Sequence, residues 1–336
     1  MHNADVLRDR LEAILAGLDR RRGPACPSCP FRPYGPFSSR DGFPSRHPGT
    51  LRFVPLFTWM EALDMAKRQK APDIRLGTCS WSTQDWVGRV YAPGTPATEF
   101  IAQYAQRFNT VEIDATFYAV PRTSTVDGWR DRTPDGFLFS AKVPQAITHE
   151  KFLEDCSREL DAFLKAMARL DGKLGPVLLQ FPYYAKKSGV TQETFLARLV
   201  PFLDAAPLDE YTFVVEVRNK PWLNKALFEP LRERNVSLAL IDHPWMPRPS
   251  ALMAENGLFT GSVAYIRWLG DRYGIEKVTK TWAEPVIDRK RDLESWVPAI
   301  KAALDKQLPV FGYVNNHYSG HAPHDVALLE GLLGRA

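Results

Sequence analysis

Eight short apolar runs, most of them followed by a helical pattern, dominate the chain after Asp73 and constrain its fold more than any other feature. The runs span 74–80, 110–116, 137–142, 176–181, 212–218, 236–242, 262–268 and 309–315. Helical spacing appears near 96–107, 123–131, 155–171, 191–203, 225–234, 288–306 and 323–333, so that only the link between the sixth and seventh runs lacks a clear helix. Strands alternating with helices make a parallel sheet. Eight such units in about 260 residues match a (β/α)8 TIM barrel in number and size. The alternative, a doubly wound open sheet, has no Gly-x-Gly-x-x-Gly after its first strand to support it.

The rest of the chain divides into two further segments. Residues 1–22 place Leu7, Leu11, Ile14, Leu15 and Leu18 at helical spacing and predict an amphipathic helix. Residues 23–59 are rich in proline and glycine and read as a linker or loosely ordered extension. The barrel domain is assigned to 60–336. Cys26 and Cys29 have the spacing of half a zinc site, but no second pair follows, and four cysteines in 336 residues make no disulfide scaffold. The opening residues lack the basic-then-apolar order of a signal peptide and no run reaches the ~20 apolar residues of a membrane span, so a cytoplasmic protein without membrane partners is expected. Lys plus Arg exceed Asp plus Glu only by 43 to 39, and no nucleic-acid partner is predicted from so small a surplus.

Inside a barrel both faces of a strand should be apolar except near its C-terminal, working end. Polar exceptions are therefore informative. Period-two alternation puts Glu112 and Asp114 on one side of the second strand, opposite Val111 and Ile113. The same parity sets Glu216 and Arg218 inward on the fifth strand, about 7 Å apart. Lys142 is in phase with Ser140, and Gln180 with Leu178. The sixth strand ends in Asp242 and His243, the seventh carries Arg267, and the eighth runs into Asn315, Asn316 and His317. Buried ion pairs that fix the register would account for any one of these. For the whole set, desolvating about seven charges costs far more than filling the positions with aliphatic residues, which points to a site. Cys79 falls on the outward parity of the first strand and is assigned to the core.

These same residues carry a resemblance. The chain resembles the YecE-like family of TIM-barrel proteins, a family of unknown function, over about residues 74–333. The likeness rests on Gly77-Thr78-x-Ser80-Trp81, on the run Phe108 to Tyr118, on Lys142, on Thr148-His149, and on the run Gly175 to Pro182. It continues through Glu216-x-Arg218, Trp222, Asp242, Arg267 and Asn315-Asn316. Two departures stand out: Arg267-Trp268-Leu269-Gly270 replaces an Arg-Leu-His-Gly pattern, and Asp114 stands where many relatives resemble one another in having asparagine. The resemblance implies the barrel and the polar cluster, and names no reaction.

Three kinds of function fit the cluster. The first is acid and base chemistry on a small polar or anionic, sugar-like molecule, with Glu112, Glu216, Asp242 and Lys142 as catalytic groups. Asp114, Tyr118, His149, Gln180, Arg218, Trp222, Arg267, Asn315 and Asn316 would then bind the substrate. Hydrolase and isomerase or lyase chemistry both suit such a set, a glycosidase among them, which needs two carboxylates about 5 Å or about 6.5–9.5 Å apart. Lys142 is read as an electrostatic group because adjacent carboxylates would raise its pKa and oppose a Schiff base. The second is a divalent-metal enzyme of isomerase or nuclease type using Glu112, Glu216, Asp242, His243 and His317, although no cofactor is predicted and three nearby cations would compete. The third is a barrel that binds a small-molecule ligand without turnover. His317, His321 and His324 lie in a loop turning into a helix and are read as surface residues.

Overall fold

The computed structural model of the chain describes residues 73–253 and 257–335. The predicted helix over 1–22, the extension over 23–59, the start of the domain at 60, and Cys26 and Cys29 lie outside the described residues. Eight parallel strands follow one another around the sheet: β1 (Ile74–Thr78), β2 (Thr110–Ile113), β3 (Leu138–Lys142), β4 (Leu174–Gln180), β5 (Phe213–Glu216), β6 (Ser237–Asp242), β7 (Ala264–Trp268) and β8 (Val310–Val314). Hydrogen-bonded ladders run from β2 through β8 and back to β1. The fold is a nearly closed TIM-type barrel, as the alternating pattern predicts.

The gap in the ladder falls between β1 and β2, and a side chain spans it. Gly77 approaches the Thr110 carbonyl so closely that no Cβ fits. There the Tyr104 hydroxyl accepts the Thr78 N–H at 2.9 Å and donates to the Thr110 carbonyl at 3.1 Å, supplying the link that a regular ladder bond would make.

The outer layer contains α1 (Phe100–Tyr104), α2 (Thr123–Asp131), α3 (Ser157–Met167), α4 (Gln192–Ala205) and α5 (Lys225–Glu233). It continues with α6 (Pro249–Met253), α7 (Arg272–Val278), α8 (Lys290–Glu294), α9 (Val297–Asp305) and α10 (Ala322–Leu332). This layer differs from expectation in three places. The link from β6 to β7 does hold a short helix, α6, and β7 is followed by α7, whose single buried residue, Ile275, leaves too weak an apolar stripe to read. The helix predicted over 288–306 is broken at Ser295 and Trp296 into α8 and α9. No helix of the described residues is long and apolar enough to cross a membrane.

Two apolar cores follow from strand alternation. Val111, Ile113, Phe139, Ala141, Val177, Leu179, Phe213, Val215, Ile266 and Trp268 pack outward under the helices. Cys79, Leu178, Val214, Ala239, Tyr265, Phe311 and Tyr313 fill the barrel axis. Cys79 therefore points inward, against the outward assignment from the sequence. In β1 it is Ile74 and Leu76 that meet the helices, which places Arg75, Gly77 and Cys79 on the inner side.

Candidate functional site

The axis closes at its C-terminal end with a charged layer. β7 alternates so that Ala264, Ile266 and Trp268 pack under the helices, leaving Tyr265 and Arg267 to project inward. Arg267 commits its whole guanidinium to two carboxylates. Nη2 and Nε donate to Oε1 of Glu112 at 2.6 and 3.1 Å, and Nη1 donates to Oε2 of Glu216 at 2.6 Å. The remaining oxygens are also satisfied: the Tyr265 hydroxyl donates to Glu112 Oε2 at 2.6 Å, and Arg218 Nε donates to Glu216 Oε1 at 3.0 Å. Ser140 Oγ lies 2.7 Å from the Tyr265 hydroxyl and extends the chain of polar groups down the axis. Both carboxylates are fully buried. Burial alone would raise the pKa of Glu216, but Arg267 and Arg218 overrule it and hold the carboxyl down at about 2. Arg267, for its part, is locked in its charged form by the two anions despite its burial.

A second set of groups lies above this layer and is less completely paired. The turn Asp114–Phe117 ends β2, and the Thr116 hydroxyl ties it to the end of β3 by reaching the Ile113 and Lys142 carbonyls at 2.8 and 2.7 Å. That contact sets Asp114 beside Lys142. Asp114 Oδ1 is 3.9 Å from Lys142 Nζ and 3.5 Å from Arg267 Nη2, and it has no hydrogen-bond partner although the atom is buried. Desolvation, then the Glu112 and Glu216 charges, push the Asp114 carboxyl up to about 6, with Arg267 and Lys142 pulling the other way. Lys142 Nζ sits 3.8 Å above the centre of the Phe117 ring. Its pKa is lowered, because burial and Arg267 outweigh the upward pull of the Asp114, Glu216 and Glu112 carboxylates, so that the net shift runs against the rise expected from the sequence. On the wide turn Ala146–Glu150, His149 Nδ1 lies 2.8 Å from Thr148 Oγ1, and its ring packs edge-on to Phe117. Burial, with Lys142 and Arg218 nearby, pushes His149 down to about 4 and keeps the imidazole neutral at neutral pH.

Other predicted site residues do not join this cluster. Asp242 is the largest departure: β6 turns Ala239 and Ile241 inward, so Asp242 faces the helix layer. There Oδ2 accepts the Trp296 Nε1–H at 2.7 Å and the Tyr318 hydroxyl at 3.0 Å, while Oδ1 faces Arg248 at 3.4 Å. It is at the working end but not at the mouth. Trp222 is buried, stacked on Phe195 with ring centres 5.0 Å apart. Asn316 Oδ1 accepts the Ala322 N–H at 3.0 Å and serves the start of α10. Asn315 accepts the His317 N–H at 3.0 Å, and His317 Nε2 in turn lies 3.3 Å from Glu276. Gln180 is buried and donates to the Phe181 carbonyl. Tyr118 is exposed on the loop after β2. His321 is not a surface residue: it is buried, with Nδ1 2.8 Å from the Trp282 carbonyl. Tyr265 is not among the residues predicted for the site, although its parity with Arg267 two residues later is a signal that finds it.

Among the described residues, one donor group brings three potential metal ligands within 4.8 Å of one another: Cys79, Glu112 and Asp114. The group is poorly suited to a cation. Arg267 already occupies the space next to Glu112 and Asp114, and burial together with the Glu112 charge drives the Cys79 thiol well up, away from the thiolate a metal needs. His243 and His317 contribute nothing to it.

Fold and site together define a (β/α)8-barrel protein with a buried ionic layer beneath an incompletely paired acid and base at the strand ends. The particular family is fixed by comparison: the family model described as "Protein of unknown function DUF72" matches residues 75–336, and the chain belongs to that family. It is similar to the UPF0759 protein YecE of Escherichia coli strain K12, 33% identical over 219 residues that cover 59% of this chain and 74% of that protein. The UPF0759 protein YunF of Bacillus subtilis strain 168 is 28% identical over 270 residues, 74% of this chain and 90% of the relative. Among solved structures, a DUF72 family protein from Thermotoga maritima superposes with a TM-score of 0.61 at 23% identity, covering 78% of this chain and 99% of the other, a likeness of fold.

Proposed function

We propose that this chain is an enzyme that moves protons on a small polyhydroxylated or anionic molecule, with Asp114 as the group that exchanges the proton. The observation that carries the reading is the state of Asp114: its buried Oδ1 has no hydrogen-bond partner, and its carboxyl is pushed up to about 6. A group with that pKa is largely ionised at neutral pH yet accepts a proton readily, which is what a general base requires. Glu112 and Glu216 are unsuited to the role, because each of their oxygens is already bonded to Arg267, Arg218 or Tyr265. They form the fixed floor that sets the field around Asp114. Lys142 and Arg218 bind the substrate and stabilise negative charge as it develops. Neutral His149 offers a ring nitrogen to a hydroxyl.

A thermal-shift panel of sugars, sugar phosphates and hydroxy acids finds the ligand, since a molecule that binds only the folded form raises its stability. With a substrate from that panel, kcat/KM rises with pH along a limb near 6 and then levels off. Asp114→Asn removes that limb and most of the activity while the chain still folds. A limb that survives in Asp114→Asn assigns the proton transfer to another group.

A further inference from the structure

Lys142 is the one lysine among the described residues that is buried, and its amine is not spent on hydrogen bonds. The contrast is Lys173, half-buried, whose ammonium donates to the Arg130 and Thr133 carbonyls at 2.7 and 2.6 Å and to the Thr133 hydroxyl at 3.3 Å. Lys142 Nζ has no such acceptor among the described residues. Asp114 Oδ1 is 3.9 Å away, beyond hydrogen-bond distance, and the Phe117 ring covers one side of the amine at 3.8 Å. The ring favours an ammonium weakly and supplies no acceptor. Arg267 brings a second positive charge to within 3.5 Å of the same Asp114 oxygen. A lysine buried beside another cation gives up its proton more readily, and what opposed a Schiff base in the sequence, the upward pull of the carboxylates, is outweighed. Lys142 is the last residue of β3, at the working end of the barrel, and its side chain is 10% exposed, which leaves a way in from the mouth.

We infer that Lys142 is a nucleophile that captures the carbonyl group of a small aldehyde or ketone as a Schiff base, with Asp114 beside it carrying the protons of the exchange. The inference deepens the proposed function by naming its substrate class, and rests on that reading only for the proton transfer that follows the imine. The neutral amine adds its lone pair to the carbonyl carbon while the carbonyl π pair moves onto oxygen. Asp114 starts as the acid, a form that a carboxyl held at about 6 populates in part at neutral pH. It gives its proton to that oxygen, takes one from the nitrogen, and returns it to the new hydroxyl, which leaves as water. One amine, one carbonyl and one proton thus become one iminium and one water, and Asp114 ends ionised beside the new cation. The iminium draws electrons from the adjacent C–H bond, whose proton the ionised Asp114 then takes. A charged lysine could only attract such a substrate; a neutral one with an open lone pair can hold it covalently.

The test is reductive trapping on the full chain. Glycolaldehyde, pyruvate and dihydroxyacetone phosphate are each supplied with cyanoborohydride from about pH 6 to about pH 9, with Nα-acetyl-lysine in the same mixture as the reference amine, and labelled sites are mapped by peptide mass spectrometry. At least one of the three leaves a reduced adduct on Lys142, and the rate of that labelling levels off at a lower pH than the labelling of acetyl-lysine. Lys142→Arg keeps the positive charge and takes no adduct there. The inference is overturned if Lys142 is labelled by none of the three, or if its labelling follows the pH dependence of acetyl-lysine, which returns it to a purely electrostatic role. Turnover reports on Asp114 separately: labelling of Lys142 without a kcat/KM limb near 6 leaves this inference standing alone, and the limb without labelling overturns it.

Discussion

Two knots of buried carboxylate chemistry lie at the same end of this barrel and face opposite ways. Glu112 and Glu216 point to the axis and share Arg267, so their charges are met by charges. Asp242 points to the helices and is met by the indole of Trp296 and the phenol of Tyr318, both neutral donors, with Arg248 at the exposed edge. The first arrangement fixes a field on the barrel axis beneath Asp114 and Lys142, where the proposed ligand site lies. The second ties β6 to the segment between α8 and α9 and to the loop after β8, and is consistent with a structural role. Position at a strand end does not distinguish them; the phase of the strand does.

The largest expected effect comes from breaking the axial knot. Arg267→Met leaves two fully buried carboxylates with only Tyr265 and Arg218 to satisfy them, and costs about 3–5 kcal/mol in urea unfolding. Replacing the set together, as Arg267→Met with Glu112→Leu and Glu216→Leu, returns stability to the parent's level or above it, because an apolar core of similar volume carries no desolvation cost. A triple variant as unstable as the single one would show that the ions hold the barrel together for its own sake. Glu216 gives the comparison a pH signature. Its pKa is depressed in the folded state, from 4.5 to about 2, so its stabilising contribution is present above about 4.5 and is lost as pH falls towards 2.

The outward knot should break at smaller cost. Asp242→Ala removes an acceptor shared by two buried donors and destabilises the chain by roughly 2–3 kcal/mol, as read from its urea midpoint. It leaves the response to ligands in a thermal-shift panel unchanged. Loss of that response without loss of stability would move Asp242 into the site and undo the distinction.

That distinction was only half legible in the sequence. β2 and β5 alternate charged with apolar residues, so Glu112 and Glu216 have a readable phase, and the structure places both on the axis. β6 reads Ser-Leu-Ala-Leu-Ile-Asp, apolar on both faces, and such a strand has period but no phase. Asp242 could be given its end of the strand and not its side. Cys79 failed for a similar reason, since Arg75 and Gly77 in β1 interrupt the apolar pattern that would show which side meets the helices. The barrel itself was legible because eight repeated units outweigh errors in any one, and the unread α7 did not disturb the count. Asn316 is singled out by its place at the end of the eighth strand as well as by resemblance, and Trp222 as a loop aromatic as well as by resemblance; here Trp222 packs on Phe195 and Asn316 accepts the Ala322 N–H at the start of α10. The pairing of Asp114 with Lys142 depends on a turn and a threonine contact that join two strands 26 residues apart, which no local pattern encodes.

The smallest effect tests whether a buried carboxylate without a charged contact behaves as its surroundings dictate. Asp325, in the first turn of α10, is fully buried, accepts from the Ser319 hydroxyl through Oδ2, and has a buried Oδ1 with no partner. Burial pushes its carboxyl up to about 7, against the pull of Ser319 and of Arg289. Its ordinary value is 3.8, so the folded chain binds the extra proton between these values and the unfolded chain does not. The contribution to stability is therefore complete below about 4 and is lost as pH rises through 7, with roughly 1–3 kcal/mol of it lost from this group between pH 5 and pH 8. Asp325→Asn cannot ionise and should flatten that part of the profile. Urea midpoints at pH 5 and pH 8 measure it: the parent falls further than the variant between the two. Equal falls would mean that Asp325 keeps one protonation state across the range, and that the α10 N-terminus, whose dipole favours the anion, offsets burial as effectively as Arg267 does for Glu216.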